Sequence, residues 1–238
     1  MRSILPACFS LLMIVGCSVV QPSSDEGEDL TVEGEESDNA LTIVDVVQPS
    51  LSPDERDAVL ARYSGLDPRH LVPTSLLQEA IVMFDVNKDK LDNKAHMTVV
   101  DFARHSGKPR FWVLDMASGE VSPYVVAHGS GSDPGDTGIP TRFSNTPDSN
   151  MSSLGFYVTG ETYDGKHGRS LRLDGVSPTD SNVRARAIVV HGASYVSEGR
   201  AKQGRSWGCF ALPENEKDHV IDMIQGGSLI YAGRSSSS

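Results

Sequence analysis

The sequence predicts a mainly β domain, a β-sandwich or partly closed barrel, with a short α-helical N-terminal lead-in. Two observations carry this. Beyond residue 96, short apolar runs recur between glycine, proline and polar residues, too closely spaced for a crossover helix to separate each pair. Upstream, between residues 50 and 90, apolar residues instead follow helix-capping signals at helical spacing.

The chain begins with Met1-Arg2-Ser3, a short positive segment, and an apolar run from Ile4 to Val15. That run is well short of the roughly 20 apolar residues a bilayer span requires, so residues 1–16 read as an export signal. Ile14-Val15-Gly16-Cys17 resembles a bacterial lipobox, in which cleavage before the cysteine exposes its thiol for lipidation; the alternative is an ordinary secretory signal that happens to contain Cys17. Ser18 resembles the outer-membrane sorting choice. The expected location is therefore the periplasmic face of a bacterial membrane, the outer one, with the chain anchored through lipid on Cys17.

Residues 17–40 carry Asp25, Glu26, Glu28, Asp29, Glu33, Glu35, Glu36 and Asp38 with no base, most of the formal net charge of -11. Self-repulsion and scarce apolar groups predict an extended acidic tether. From Leu41 onward the balance is only mildly acidic, and no basic stripe with interleaved aromatics is present, which argues against a nucleic-acid partner.

Residues 41–95 form the helical lead-in. Ser52-Pro53-Asp54-Glu55 places a hydroxyl at the N-cap, proline at the first helical position and glutamate at N3, predicting a helix to about Tyr63. Ser75-Leu76-Leu77-Gln78 offers a second capping box and a helix to about Asn87. Asp85-Val86-Asn87-Lys88-Asp89 opens like a calcium loop, but Lys90 replaces the turn glycine and His96 the bidentate glutamate, so it reads as a polar helix end.

Residues 96–234 form the main domain. Strands are expected at Met97–Phe102, Arg110–Met116, Pro123–Ala127, Gly155–Thr159, Ser170–Leu173, Ala187–Val190 and Ser228–Tyr231, with a hairpin turn at Ala117-Ser118-Gly119-Glu120. One helix, from about Glu214 to Ile224, interrupts them.

Of the three cysteines, Cys8 leaves with the signal and Cys17 is assigned to lipid, so Cys209 remains as an unpaired thiol in a compartment that favours disulfides. It lies in Gly204-Arg205-Ser206-Trp207-Gly208-Cys209, eighteen positions after His191, which ends the apolar run Ile188-Val189-Val190. A thiolate is a strong nucleophile but needs a nearby base or cation to form, and an imidazole supplies either. If His191 activates the thiol, the pKa of Cys209 is expected below the roughly 8.5 of a free cysteine. Gly208 lets the backbone turn tightly and aim the amides of Gly208 and Cys209 at one point, as an oxyanion hole requires.

His191, the eighteen-position gap and Ser206-Trp207-Gly208-Cys209 resemble the signature of the YkuD-type L,D-transpeptidases. The stretch from about Met97 to Gly233 is similar to the murein L,D-transpeptidase catalytic-domain branch, through Phe143-Ser144-Asn145, Ser152 to Tyr157, Gly168 to Leu173 and His191 to Tyr195. The resemblance implies that Cys209 attacks the carbonyl of an L-centre to D-centre bond in a peptidoglycan stem, forms an acyl-enzyme and passes the acyl group to an amine. It makes His191 the general base, the Gly192 carbonyl its orienting partner and Ser206 a shaper of the loop, with oxyanion donors at Gly208 and Cys209. Peptidoglycan is the expected partner; no metal or organic cofactor is implied. Resolution of the acyl-enzyme by water, or a non-catalytic peptidoglycan-binding lipoprotein, are the alternatives.

Trp207 stands where the shorter family motif has histidine, and Phe210-Ala211-Leu212 lacks the arginine that often follows the cysteine. Arg205 supplies that charge or makes a surface salt bridge. Trp207 walls a substrate groove or packs in the core. His128 repeats the strand-end His-Gly pattern and either touches substrate or is a hydrogen-bonded structural histidine. His167 and Tyr157 fall in the matching segments as candidates for the cleft wall, outside the catalytic set.

Overall fold

The computed structural model describes residues 45–236. The export signal, Cys17 and the acidic tether lie outside the described residues.

The first helix, α1 (Pro53–Arg62), starts as the local chemistry dictates. The Glu55 amide donates to Ser52 Oγ at 3.4 Å, and the Ser52 amide donates back to the Glu55 carboxylate at 2.8 Å. The second helix, α2 (Thr74–Asn87), differs from expectation at its start: Pro73 is the N-cap, no side chain caps it, and Ser75 lies inside the first turn. Pro73 already holds an extended φ and ψ and its carbonyl accepts the amides of Leu76 and Leu77, so the helix begins before Ser75 can act.

The strands are β1 (His96–Asp101), β2 (Phe111–Asp115), β3 (Val121–Tyr124), β4 (His128–Gly129), β5 (Gly155–Gly165), β6 (Gly168–Gly175), β7 (Val189–Gly192), β8 (Arg205–Ser206), β9 (Phe210–Leu212) and β10 (Leu229–Gly233); the helix α3 (Lys217–Ile224) precedes the last. Eight of them form one sheet in the order β3-β2-β1-β10-β5-β6-β7-β9, while β4 and β8 pair separately in parallel. Within the large sheet β1/β10 and β7/β9 are parallel and the other neighbours antiparallel.

This sheet curls. Phe111 on β2 and Phe210 on β9 are six strand steps apart in the sheet order, which in a flat sheet would be roughly 29 Å. Their ring centroids are 6.4 Å apart, and the Ala127 amide donates to Ala211 of β9. The partly closed barrel is thus the form adopted, rather than the sandwich. Its interior holds Val100, Phe102, Phe111, Tyr157, Leu171, Val190 and Phe210, with Val220, Ile221 and Ile224 of α3 as the plug. On the outer face α2 packs Leu76, Ala80, Met83 and Phe84 against Val99, Trp112 and Leu229.

Several boundaries differ from the sequence expectation. β3 starts earlier and ends at Tyr124; as the edge strand it tolerates Pro123, which has no amide to donate. β7 starts at Val189 because Ala187 takes a left-handed φ of 52°. β5 runs on to Gly165 and makes a long ribbon with β6, with a bulge between Thr159 and Thr162. α3 begins at Lys217, three residues later than expected.

Asp180 is buried under this ribbon, its Oδ1 accepting the Ser177 amide at 2.7 Å and its Oδ2 unpartnered. Burial pushes its pKa up to about 7. The folded state therefore keeps a proton that the unfolded state releases near pH 4, and stability is lost as pH rises from there through 7. Asp180→Asn is expected to raise the melting temperature relative to wild type at pH 8 and to leave it nearly unchanged at pH 4; equal melting temperatures at pH 8 would remove this account.

Candidate active site

The parallel pairing of β7 with β9 sets Val190 opposite Phe210, His191 opposite Ala211 and Gly192 opposite Leu212. Cys209 directly precedes β9. His191 and Cys209 thus leave neighbouring chain segments two positions apart in register, the spacing that returns side chains to one face.

His191 is 2% exposed. Its Nδ1 lies 2.8 Å from the carbonyl of Gly192, which can only accept, so Nδ1 carries the proton and Nε2 keeps a lone pair. Burial pushes the imidazole pKa down to about 4, with the positive potential of a neighbouring His167 acting in the same direction and the Gly192 carbonyl opposing. A base that is neutral and oriented at pH 7 results. A Cβ on Gly192 would fall 2.3 Å from Lys217 Cδ and 2.6 Å from Glu214 Oε2, so those two flexible side chains would have to move aside.

Cys209 is a free, partly buried thiol whose Sγ lies 3.6 Å from the Ala187 carbonyl. Its pKa is raised, which corrects the expectation of a depressed value. Burial is the largest influence and outweighs the Val189 amide, the Arg186 charge and its own amide, all of which favour the thiolate. At rest the thiol keeps its proton.

The loop that leads into Cys209 is held by short polar contacts. Ser206 Oγ donates to the Cys209 carbonyl at 2.8 Å and accepts the Gly208 amide at 3.2 Å. The Gly208 amide is therefore engaged and does not point freely into an oxyanion site, in contrast to the expectation for it. The Gly208 carbonyl accepts from Ser152 Oγ, which in turn accepts the Gly129 amide. Gly208 has φ 127°, and a Cβ there would lie 2.6 Å from Ile188 Cδ1 and 2.8 Å from the Met151 carbonyl. Only glycine fits that position without strain.

Arg186 is a residue that sequence reasoning missed. Its guanidinium donates to the Ser144 carbonyl, Ser153 Oγ, Ser149 Oγ and the Met151 carbonyl, and its charge favours the Cys209 thiolate. Tyr163 on β5 was also missed: it senses the Cys209 charge, and the Arg172 guanidinium lies 4.3 Å from its ring centroid. The Arg-Ala-Arg run before β7 was the one available signal for Arg186.

The other candidates separate. His128 is completely buried. Arg110 Nη2 lies 2.7 Å from its Nδ1 and Asp133 Oδ2 lies 3.4 Å from its Nε2. Of the two readings of His128, burial and these partners support the hydrogen-bonded structural histidine. Arg205 donates to the Asp133 carbonyl at 2.7 Å and pairs with Asp136 at 3.4 Å, a salt bridge near the surface. Trp207 is 37% exposed and so does not pack in the core. Tyr157 is buried in the barrel with its hydroxyl on the Ser153 carbonyl, whereas the His167 ring stacks on His191.

A family model described as the L,D-transpeptidase catalytic domain matches residues 69–232, and the chain belongs to that family. Among solved structures, an L,D-transpeptidase from Mycobacterium smegmatis is similar at 14% identity and a TM-score of 0.38, over 58% of each chain. The helical cell shape determining protein Pgp2 from Campylobacter jejuni is similar at 12% identity and a TM-score of 0.40, over 62% of this chain and 50% of its own. Bd1075 from Bdellovibrio bacteriovorus is similar at 14% identity and a TM-score of 0.35, over 58% of this chain and 47% of its own. The matched part spans less than two thirds of each of these proteins. No curated protein matches the sequence.

Proposed function

We propose that this chain is a cysteine-dependent L,D-transpeptidase acting on peptidoglycan stem peptides through a thioester acyl-enzyme. The observation that carries the proposal is the buried, neutral His191, its Nδ1 fixed by the Gly192 carbonyl, two register positions from the free thiol of Cys209 in a chain of this family.

His191 Nε2 takes the thiol proton as Sγ attacks the stem carbonyl carbon. The imidazolium then gives that proton to the leaving nitrogen as the C–N bond breaks, releasing the terminal D-amino acid and leaving the thioester. An acceptor amine attacks the thioester, a proton returns to sulfur through His191, and a new amide forms. The raised thiol pKa makes this base necessary: the free thiolate is scarce at neutral pH, so proton removal and attack are coupled. Of the two amides first expected to hold the oxyanion, Cys209 remains the candidate, since Gly208 is bonded to Ser206. Export, with lipid on Cys17 holding the chain at the outer membrane, would place the site beside its polymer.

Intact mass spectrometry after incubation with tetrapeptide stems tests this. Wild-type protein is expected to gain an acyl mass that Cys209→Ala does not, and amine-exchanged or cross-linked products should appear when an acceptor is supplied. Hydrolysed stems alone would assign an L,D-carboxypeptidase or endopeptidase; no adduct and no product would assign a peptidoglycan-binding lipoprotein. Membrane fractionation checks the anchor: Cys17→Ser should release the protein.

A further inference from the structure

The β5–β6 ribbon ends in a tight turn, with Gly165 paired to Gly168 and Lys166-His167 between them. Gly168 takes φ 68°, a conformation that lets the turn close. The tip is exposed, yet its imidazole lies on the buried imidazole of His191 with ring centroids 4.3 Å apart and planes 24° apart. This is a stacked contact between an exposed hairpin tip and the site's base, made across two strands of the sheet.

We propose that His167 is a positioning residue for the general base: the hairpin tip covers the face of His191 and fixes its plane, so that β5–β6 rather than the nucleophile loop supplies a second histidine to this site. The proposal rests on His191 being the base. The motif position where relatives carry histidine is Trp207 here, and its side chain is partly exposed.

Three physical consequences follow from the contact. Stacking removes water from one face of His191, which disfavours its cation. Two imidazoles at this separation repel when both are protonated, so His167 opposes a second proton. The ring plane is set by two contacts at once, the Gly192 carbonyl at Nδ1 and the His167 face, which leaves Nε2 aimed in one direction. Around His167 the other charged groups are Lys166, which repels its cation, and Glu214, which favours it. Glu214 and Lys217 also border Gly192, so the charge environment of the pair is mixed and the ring contact itself is the distinctive element.

Titration of the His191 ring by NMR, together with steady-state kinetics, tests the assignment in wild type, His167→Ala and His167→Phe. In wild type His191 is expected to titrate near 4, and in His167→Ala well above that, because cover and repulsion are both lost. His167→Phe keeps the cover and should retain most of the low value. kcat in the alanine variant is expected to fall by roughly ten- to a hundredfold with KM little changed, the scale of a misaligned catalytic group, and phenylalanine should restore much of it. An unchanged His191 titration and kcat in His167→Ala would overturn the proposal, as would loss in the phenylalanine variant equal to that in alanine. Absence of stem acylation in wild type, with the His191 titration responding as stated, would remove the transpeptidase and leave the ring contact standing.

Discussion

Arg110→Met is expected to destabilise the fold by about 3–5 kcal/mol, the cost of removing one partner from a buried charged cluster. Arg110 has no exposed surface. Its Nε and Nη2 donate to the Val126 carbonyl, Nη1 donates to the Arg104 carbonyl, and Nη2 also meets His128 Nδ1. Burial lowers the pKa of the guanidinium to about 9, with Asp101 and Asp133 opposing the shift. Methionine fills similar volume but leaves those carbonyls and the imidazole without a donor, and it removes the charge that Asp101 and Asp133 face. Chemical denaturation should show a lower midpoint with an unchanged slope; an unchanged midpoint would show that the cluster is not a stabilising element.

The same cluster sets a pH dependence. Burial, with the Arg110 charge, pushes the pKa of His128 down to about 3, and burial brings His191 to about 4. Unfolded histidines titrate near 6.5, so between there and the folded values the unfolded state binds more protons. Stability from these two residues is full above about pH 6.5 and is lost as pH falls towards 3. Asp180 works in the opposite direction over part of that window, and the two histidines outnumber it. A melting temperature that rises monotonically on acidification from pH 7 to 4 would contradict this.

How far the sequence disclosed the structure depended on how local the governing chemistry was. α1 was legible because Ser52, Pro53 and Glu55 form their cap among themselves. The same pattern at Ser75 misled, because Pro73 had already begun the helix. The outer half of β5 was not legible: Thr162 and Tyr163 are half-buried and Asp164 is exposed, in a ribbon whose pairing with β6, not an apolar run, defines it. β4, β8 and β9 are two or three residues long and form only because distant segments meet.

The site divided along the same line. His191 and Cys209 lie in recognisable local patterns, whereas Tyr163 and His167 reach them through the β5–β6 ribbon and its pairing with β7, and Arg186 through the turn that precedes β7. His128-Gly129 and His191-Gly192 are alike as sequence, both being strand ends with the same dipeptide. What distinguishes them is Arg110, which fills the space beside His128, while His191 is left with the Gly192 carbonyl and an exposed hairpin tip. No local pattern carries that difference.

Arg186→Gln is expected to slow alkylation of Cys209 at pH 7 by roughly tenfold, the effect of removing a nearby unit of opposite charge from a buried ionisable group. Two independent functions meet in this side chain. Its charge is one of the influences that favour the Cys209 thiolate against burial, and without it the thiol pKa moves further up. Its four hydrogen bonds tie together Ser144, Ser149, Met151 and Ser153, the segment against which Gly208 turns. Arg186→Lys separates the two: it keeps a cation near the thiol but lacks the planar fork that serves four acceptors. The lysine variant should therefore retain most of the pH 7 alkylation rate while melting at a lower temperature. Arg184→Gln is the control, since Arg184 pairs with Asp174 and Glu161 on the ribbon and should leave the alkylation profile in place. If Arg186→Gln and Arg184→Gln gave the same rate against pH, the charge of Arg186 would have no special relation to the Cys209 thiol.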